Sequence, residues 1–186
     1  MGRRLCFSAM VCLLLVATAC GISLPQGESG SIALMPFCSE DLGICGVAPA
    51  GSPQVDEGVF DCSGLNADKN LAFLVHQTVP AAVAEELIET LPQELGLSSP
   101  PTPAGTVNGA AFTWTWYEFR TQLRNLGEGW GPLDPATAAR VDCAIAAGNA
   151  KTYLVSLITL PADHEANRAM YESLFVHAVY ALTPLP

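Results

Sequence analysis

Seven cysteines and three histidines are the side chains of this 186-residue chain with the most chemistry open to them. Four of the cysteines, Cys38, Cys45, Cys62 and Cys143, lie in the body of the chain. In an oxidising compartment an even number of thiols predicts two disulfides, with three pairings open. If segments 44–48 and 59–62 pair as a hairpin, setting Val47 opposite Phe60 also sets Cys45 opposite Cys62. Cβ atoms of such neighbours lie about 4.5–5.5 Å apart, close enough for a bridge. Cys38 with Cys143 then follows by elimination. The rival pairs Cys38 with Cys45, because Ser39 to Ile44 can itself be a turn. A zinc site is disfavoured, since no C-x-x-C pair exists and His76, His164 and His177 are isolated. No metal and no cofactor are expected.

Other candidate chemistry weakens on inspection, and no catalytic residue is assigned. Gly27-Glu28-Ser29-Gly30-Ser31 lacks the spacing of a nucleophile elbow. His164-Glu165 lacks the second histidine of a zinc-protease helix, so it reads as helix surface. Asn66-Ala67-Asp68-Lys69-Asn70 alternates oxygen ligands like the start of a calcium loop. It lacks the following glycine and the late glutamate, so a polar turn is expected. His76 in an apolar strand and His177 on the last helix read as satisfied core or boundary histidines. Aromatic residues crowd one segment: Phe112, Trp114, Trp116, Tyr117 and Phe119. A strand covered on both faces needs them as core. A strand left partly open would make Trp114 and Trp116 an apolar binding surface. Trp114, mid-strand, is expected to be the more buried of the two.

Cys20 has the clearest assignment. Arg3 and Arg4 form a positive n-region, and Leu5 to Val16 is an apolar run too short to span a bilayer. Ala17-Thr18-Ala19 supplies the small residues of a processing site. A secretory signal needs no more than that, so the cysteine just after them points to lipidation. Ala17-Thr18-Ala19-Cys20 resembles the lipobox of bacterial lipoproteins, with Ala17 where Leu is more usual. The resemblance implies diacylation of Cys20 and cleavage before it. The expected organisation is a lipoprotein signal peptide over 1–19, a Gly/Ser/Gln-rich tether over 20–33 and one domain over 34–186. Loss of residues 1–19 removes Arg3 and Arg4 but no acid, so the formal charge moves from −10 to −12. That charge repels phosphate backbones and anionic lipid surfaces and argues against nucleic-acid binding.

The elements that must position these residues come in the order strands, helix, strands, helix. Strands are expected at 44–48 and 59–62, around the Pro49–Pro53 turn, and over 71–79. Pro80 is expected to open a helix whose stripe is Val83, Leu87, Leu91 and Leu95, closed by Gly96. Residues 98–105 read as a loop and 110–120 as the aromatic strand. Strands over 139–146 and 152–160 join through Gly148-Asn149. Asp163 caps a last helix over 166–182, with Met170, Leu174, Phe175, Ala178, Val179 and Leu182 as its stripe. Without regular β-α alternation, the class is α/β of the α+β type: an antiparallel sheet covered by helices.

Five patterns resemble the Mog1/PsbP-like domains. They are Asp41-Leu42-Gly43-Ile44-Cys45-Gly46-Val47-Ala48-Pro49 before a turn, Gly109 to Phe119, Val141-Asp142 to Ile145, Lys151-Thr152-Tyr153-Leu154-Val155, and the closing helix. Ser52 stands where the family often has Trp after the turn. The resemblance covers about residues 34–182 and implies an antiparallel sheet between helices, with no shared catalytic residues. The functional expectation is an exported, membrane-anchored envelope lipoprotein at the cell surface or in the periplasm. Its domain would bind an envelope protein or a small apolar ligand, or assist a neighbour. An extracytoplasmic hydrolase or other enzyme, and a purely structural envelope protein, are the alternatives.

Overall fold

The computed structural model describes residues 32–81, 93, 95–97, 101–127 and 133–185. The predicted signal peptide, nearly all of the predicted tether and almost all of the predicted helix after Pro80 lie outside the described residues. The Gly27–Ser31 motif lies outside them too.

Among the described residues, two antiparallel sheets and two helices make up the fold. β1 (Leu34–Ser39) turns back into β2 (Ile44–Pro49), and β3 (Gln54–Asp56) into β4 (Val59–Asp61). Then follow β5 (Ala72–Pro80), β6 (Pro103–Asn108), β7 (Thr113–Gln122), β8 (Ala138–Ala147) and β9 (Lys151–Thr159). Helices α1 (Pro161–Ala166) and α2 (Arg168–Ala181) lead to the short β10 (Thr183–Pro184). The large sheet has the order β3-β4-β5-β9-β8-β7-β6, and the small one β1-β2-β10. The expected α+β class of a single domain with antiparallel sheets and helices holds.

The central strands β8 and β9 bury both faces, which explains their near-continuous apolar runs. All eight inner residues of β8 are buried. One face carries Trp114, Ala144, Ala146, Val155, Leu157 and Leu74, and packs under α2 through Leu174, Phe175, Ala178 and Val179. The opposite face carries Tyr117, Val141, Cys143, Ile145, Leu154, Ile158 and Val75, also buried.

The expected hairpin between 44–48 and 59–62 does not form. β2 pairs with β1 instead, and β4 pairs with β3 and β5. The reason is the turn before Ile44. Gly43 adopts φ 68°, a left-handed conformation cheap only for glycine, and its N–H donates to the Ser39 carbonyl at 2.9 Å. The Ser39 hydroxyl also accepts the Leu42 N–H. That turn sends the chain back along β1, and the Pro49–Pro53 segment carries it from the small sheet to the large one.

Three further boundaries differ. Pro80 is the last residue of β5, paired with Lys151, and helical backbone begins after it, at Ala81. Pro103 to Gly105, expected as loop, belongs to edge strand β6, where a missing N–H costs little. The closing helix begins earlier, with Pro161 in its first turn, and breaks at Asn167. Asp163 is therefore not a cap but a buried residue inside α1.

Candidate functional site

Trp114 and Trp116 sit two apart on β7, so both face α2. Trp114 is fully buried and meets Phe112 edge-on at 5.8 Å. Trp116 is half-buried, its ring 5.4 Å from Phe175 of α2. Neither indole N–H has a hydrogen-bond partner. The order of burial is the one expected from the sequence. Trp114 is core, and Trp116 is the member of the pair at the margin of the covered face.

The cysteines divide differently from the first expectation. Cys38 and Cys45 face each other in the β1–β2 register and form a disulfide. Cys62 and Cys143 are buried free thiols on opposite faces of the large sheet, so they cannot meet. The pairing of Cys45 with Cys62 fails because β2 and β4 belong to different sheets. Burial raises both thiols to about 11, so neither is a nucleophile at neutral pH.

His76 is fully buried in β5, with Phe37 and Phe60 against its ring. Neither ring nitrogen has a hydrogen bond of good geometry. It is a core histidine, but not a satisfied one. Burial lowers its pKa to about 4, against a smaller opposing effect of the Val47 backbone. The Asn66–Asn70 segment is the polar turn expected. The Asn66 side chain accepts the Asn70 N–H at 2.8 Å and donates to the Asn70 carbonyl at 3.1 Å. Its amide also donates to the Tyr171 hydroxyl, which donates to Asp163 at 2.5 Å. The side-chain amides of Asn70 and Asn167 complete Asp163's shell. These carbonyls and amides therefore hold a loop against α1 and α2. No cluster with the makings of a metal site occurs among the described residues.

The densest charged constellation was not singled out from the sequence. Arg140 and Asp142 lie two apart on buried β8, on its α2-facing side, and Arg140 pairs across the strands with Thr159. The Arg140 guanidinium donates to both Asp142 oxygens, at 3.1 and 3.0 Å. It also pairs with Glu118 at 3.1 Å and reaches Glu165 at 3.8 Å. His164, expected on a helix surface, is fully buried above this stripe. Its Nδ1 lies 3.2 Å from Thr159 Oγ1 and 3.7 Å from Asp142. Burial works against Arg140's charge, but Asp142, Glu118 and Glu165 outweigh it and raise its pKa. Burial lowers the pKa of His164; Asp142 pulls it up, and Arg140 adds to the lowering. The signal in the sequence was a pair of opposite charges at i and i+2 within an apolar strand, which puts both on one face.

Asp142, His164 and Thr159 imitate the acid, base and hydroxyl of nucleophilic catalysis. Their exposures of 1%, 0% and 0% close them to a substrate. The arrangement can lock α1 onto the sheet. Two open depressions lie elsewhere. One of about 390 Å³ is lined by Gly96, Arg120, Thr121, Gln122 and Asn125. The other, of about 270 Å³, lies over Ser52, Asp61, Ser63 and Lys69. Trp114 and Trp116 line neither.

No protein-family model and no curated protein matches this chain. Among solved structures it is similar to cyanobacterial PsbP (CyanoP) from Synechocystis sp. PCC 6803, with a TM-score of 0.45 at 10% identity. That match covers 86% of this chain and 97% of the other. It is also similar to LpqN of Mycobacterium tuberculosis, a protein described as involved in cell envelope biogenesis. There the TM-score is 0.39 at 10% identity, over 88% of this chain and 82% of the other.

Proposed function

We propose that this chain is an exported envelope lipoprotein, anchored through Cys20, whose domain serves as a binding or accessory module. The observation that carries the reading is the Cys38–Cys45 disulfide. It lies shortly after the predicted processing site, on the first strand of the domain. Disulfides persist in oxidising, extracytoplasmic compartments, which is where the leader ending at Ala19 would deliver the chain. Supporting the binding role is the margin of the aromatic face, where the half-buried Trp116 ring lies beside Phe175. The partner class is an envelope protein or a small apolar ligand.

Two measurements test the reading. Cys20→Ser should shift the protein from the membrane to the soluble fraction or leave it as precursor, and globomycin should block its maturation. Unchanged membrane partitioning of Cys20→Ser would sink the anchor. Cross-linking in the native envelope should give an adduct that Trp116→Ala loses while its melt stays cooperative. An adduct untouched by that substitution moves the binding face elsewhere.

A further inference from the structure

The strand on which the tether would enter the domain is also the strand that carries the disulfide. Among the described residues, β1 is an edge strand whose backbone pairs with β2 alone. Of its side chains only Ser39 is buried, with Leu34 and Phe37 half-buried. What β1 covers is specific. The Phe37 ring lies 4.8 Å from both Phe60 and His76. It rests on Gly46, its register partner, where an added Cβ would stand 3.1 Å from the ring. β2, in contrast, is also paired with β10 and packed on α2. It has partners that remain when β1 leaves.

We infer that the Cys38–Cys45 disulfide is a redox-operated clamp that sets where the tether ends and the folded domain begins. This rests on reading residues 20–33 as a tether. Peeling of β1 starts at its Leu34 end, the end that a pull from the anchor would load. With the bridge closed it stops before Phe37, whose neighbour Cys38 is held to Cys45. With the bridge open it runs on to Asp41 and stops at Leu42, whose carbonyl accepts from Thr78 and Lys151 while the Gly43 carbonyl accepts the Leu185 N–H, so residues 34–41 join the tether. At ~3.3 Å per residue, the five that the bridge had held back, 37–41, add roughly 17 Å of reach. Departure of Phe37 also uncovers His76.

The opening step balances with a dithiol as the reductant. Its thiolate attacks the Cys38 sulfur, the exposed one of the pair, and the S–S bond breaks with Cys45 leaving as thiolate. The reductant's second thiol then displaces Cys38 from the mixed disulfide. Two electrons pass to the protein, two protons end on Cys38 and Cys45, and the reductant leaves as its own disulfide. Cys62 and Cys143 are buried and take no part.

Hydrogen exchange of the full processed chain, oxidised and after dithiothreitol, tests the clamp. Amides in 37–43 should exchange at least tenfold faster after reduction, while β5 and β9 keep their protection. The His76 ring protons should begin to titrate in the ordinary histidine range. A Cys38→Ser/Cys45→Ser double variant should behave as the reduced protein does. Unchanged exchange over 37–43 overturns the proposal. So does equal loss of protection in β5 and β9, or a double variant that cannot fold, because the bridge would then be a staple of the whole fold. None of these outcomes depends on lipid at Cys20. A wild-type chain found wholly soluble would refute the anchor and leave the exchange result standing.

Discussion

Trp114 and His76 are both fully buried with ring nitrogens unpartnered, yet they respond to different perturbations. Trp114 contributes mainly area, so Trp114→Ala should cost about 3–5 kcal/mol through lost burial and a cavity. Trp116, half-exposed, should cost about 1–2 kcal/mol on the same change. Urea unfolding of the two variants measures the gap, and equal losses would place both rings in the core. His76 contributes a titration. The unfolded chain binds its proton near 6.5, the folded one only near 4. Its share of stability is therefore complete above about pH 6.5 and declines as pH falls towards 4, by about 2–3 kcal/mol at pH 4.5. His76→Leu should remove that part of the acid sensitivity. Unfolding curves at pH 7 and 4.5 check it, and an unaltered difference between the two would reject His76 as the source. Cys62 and Cys143 make a third case. Native protein should leave both unreacted towards a thiol reagent at pH 8, and denaturant should expose both.

At the scale of elements, the Arg140 stripe joins β7, β8 and β9 to α1, and its energetics are asymmetric. Arg140→Met leaves Asp142, 1% exposed, as an uncompensated buried charge, so a loss of about 3–5 kcal/mol is expected. The double variant Arg140→Met/Asp142→Leu should recover most of that loss. Thermal melts of the single and double variants decide it, and a double variant no better than the single would mean the pair is worth more than its desolvation. The same stripe shows what sequence reasoning reaches. β5, β7, β8, β9 and the closing helix were legible to within a few residues, because a strand buried on both faces and a helix with one apolar stripe leave distinct periods. The partners of the short strands were not legible. Ser39–Ile44 and Pro49–Pro53 both carry turn chemistry, and nothing local says which closes a hairpin. The left-handed Gly43 and the Ser39 hydroxyl settle it through backbone geometry. His164 was misread for a related reason. The signal of a buried polar residue lies in its partners, and Asp142 and Thr159 come from other strands.

For the molecule as a whole, the surplus of acid bears on solubility and partners, while the fold is held by apolar faces. The small sheet has a consequence of a different kind, for engineering. β1 and β10 flank β2 and run parallel to each other. β1 starts at the Pro49 end of β2, and Pro184 stands at the Ile44 end. The two points are separated along β2 by five residues, or about 17 Å. Cargo appended after residue 186 would thus be presented at the pole away from the N-terminal lead.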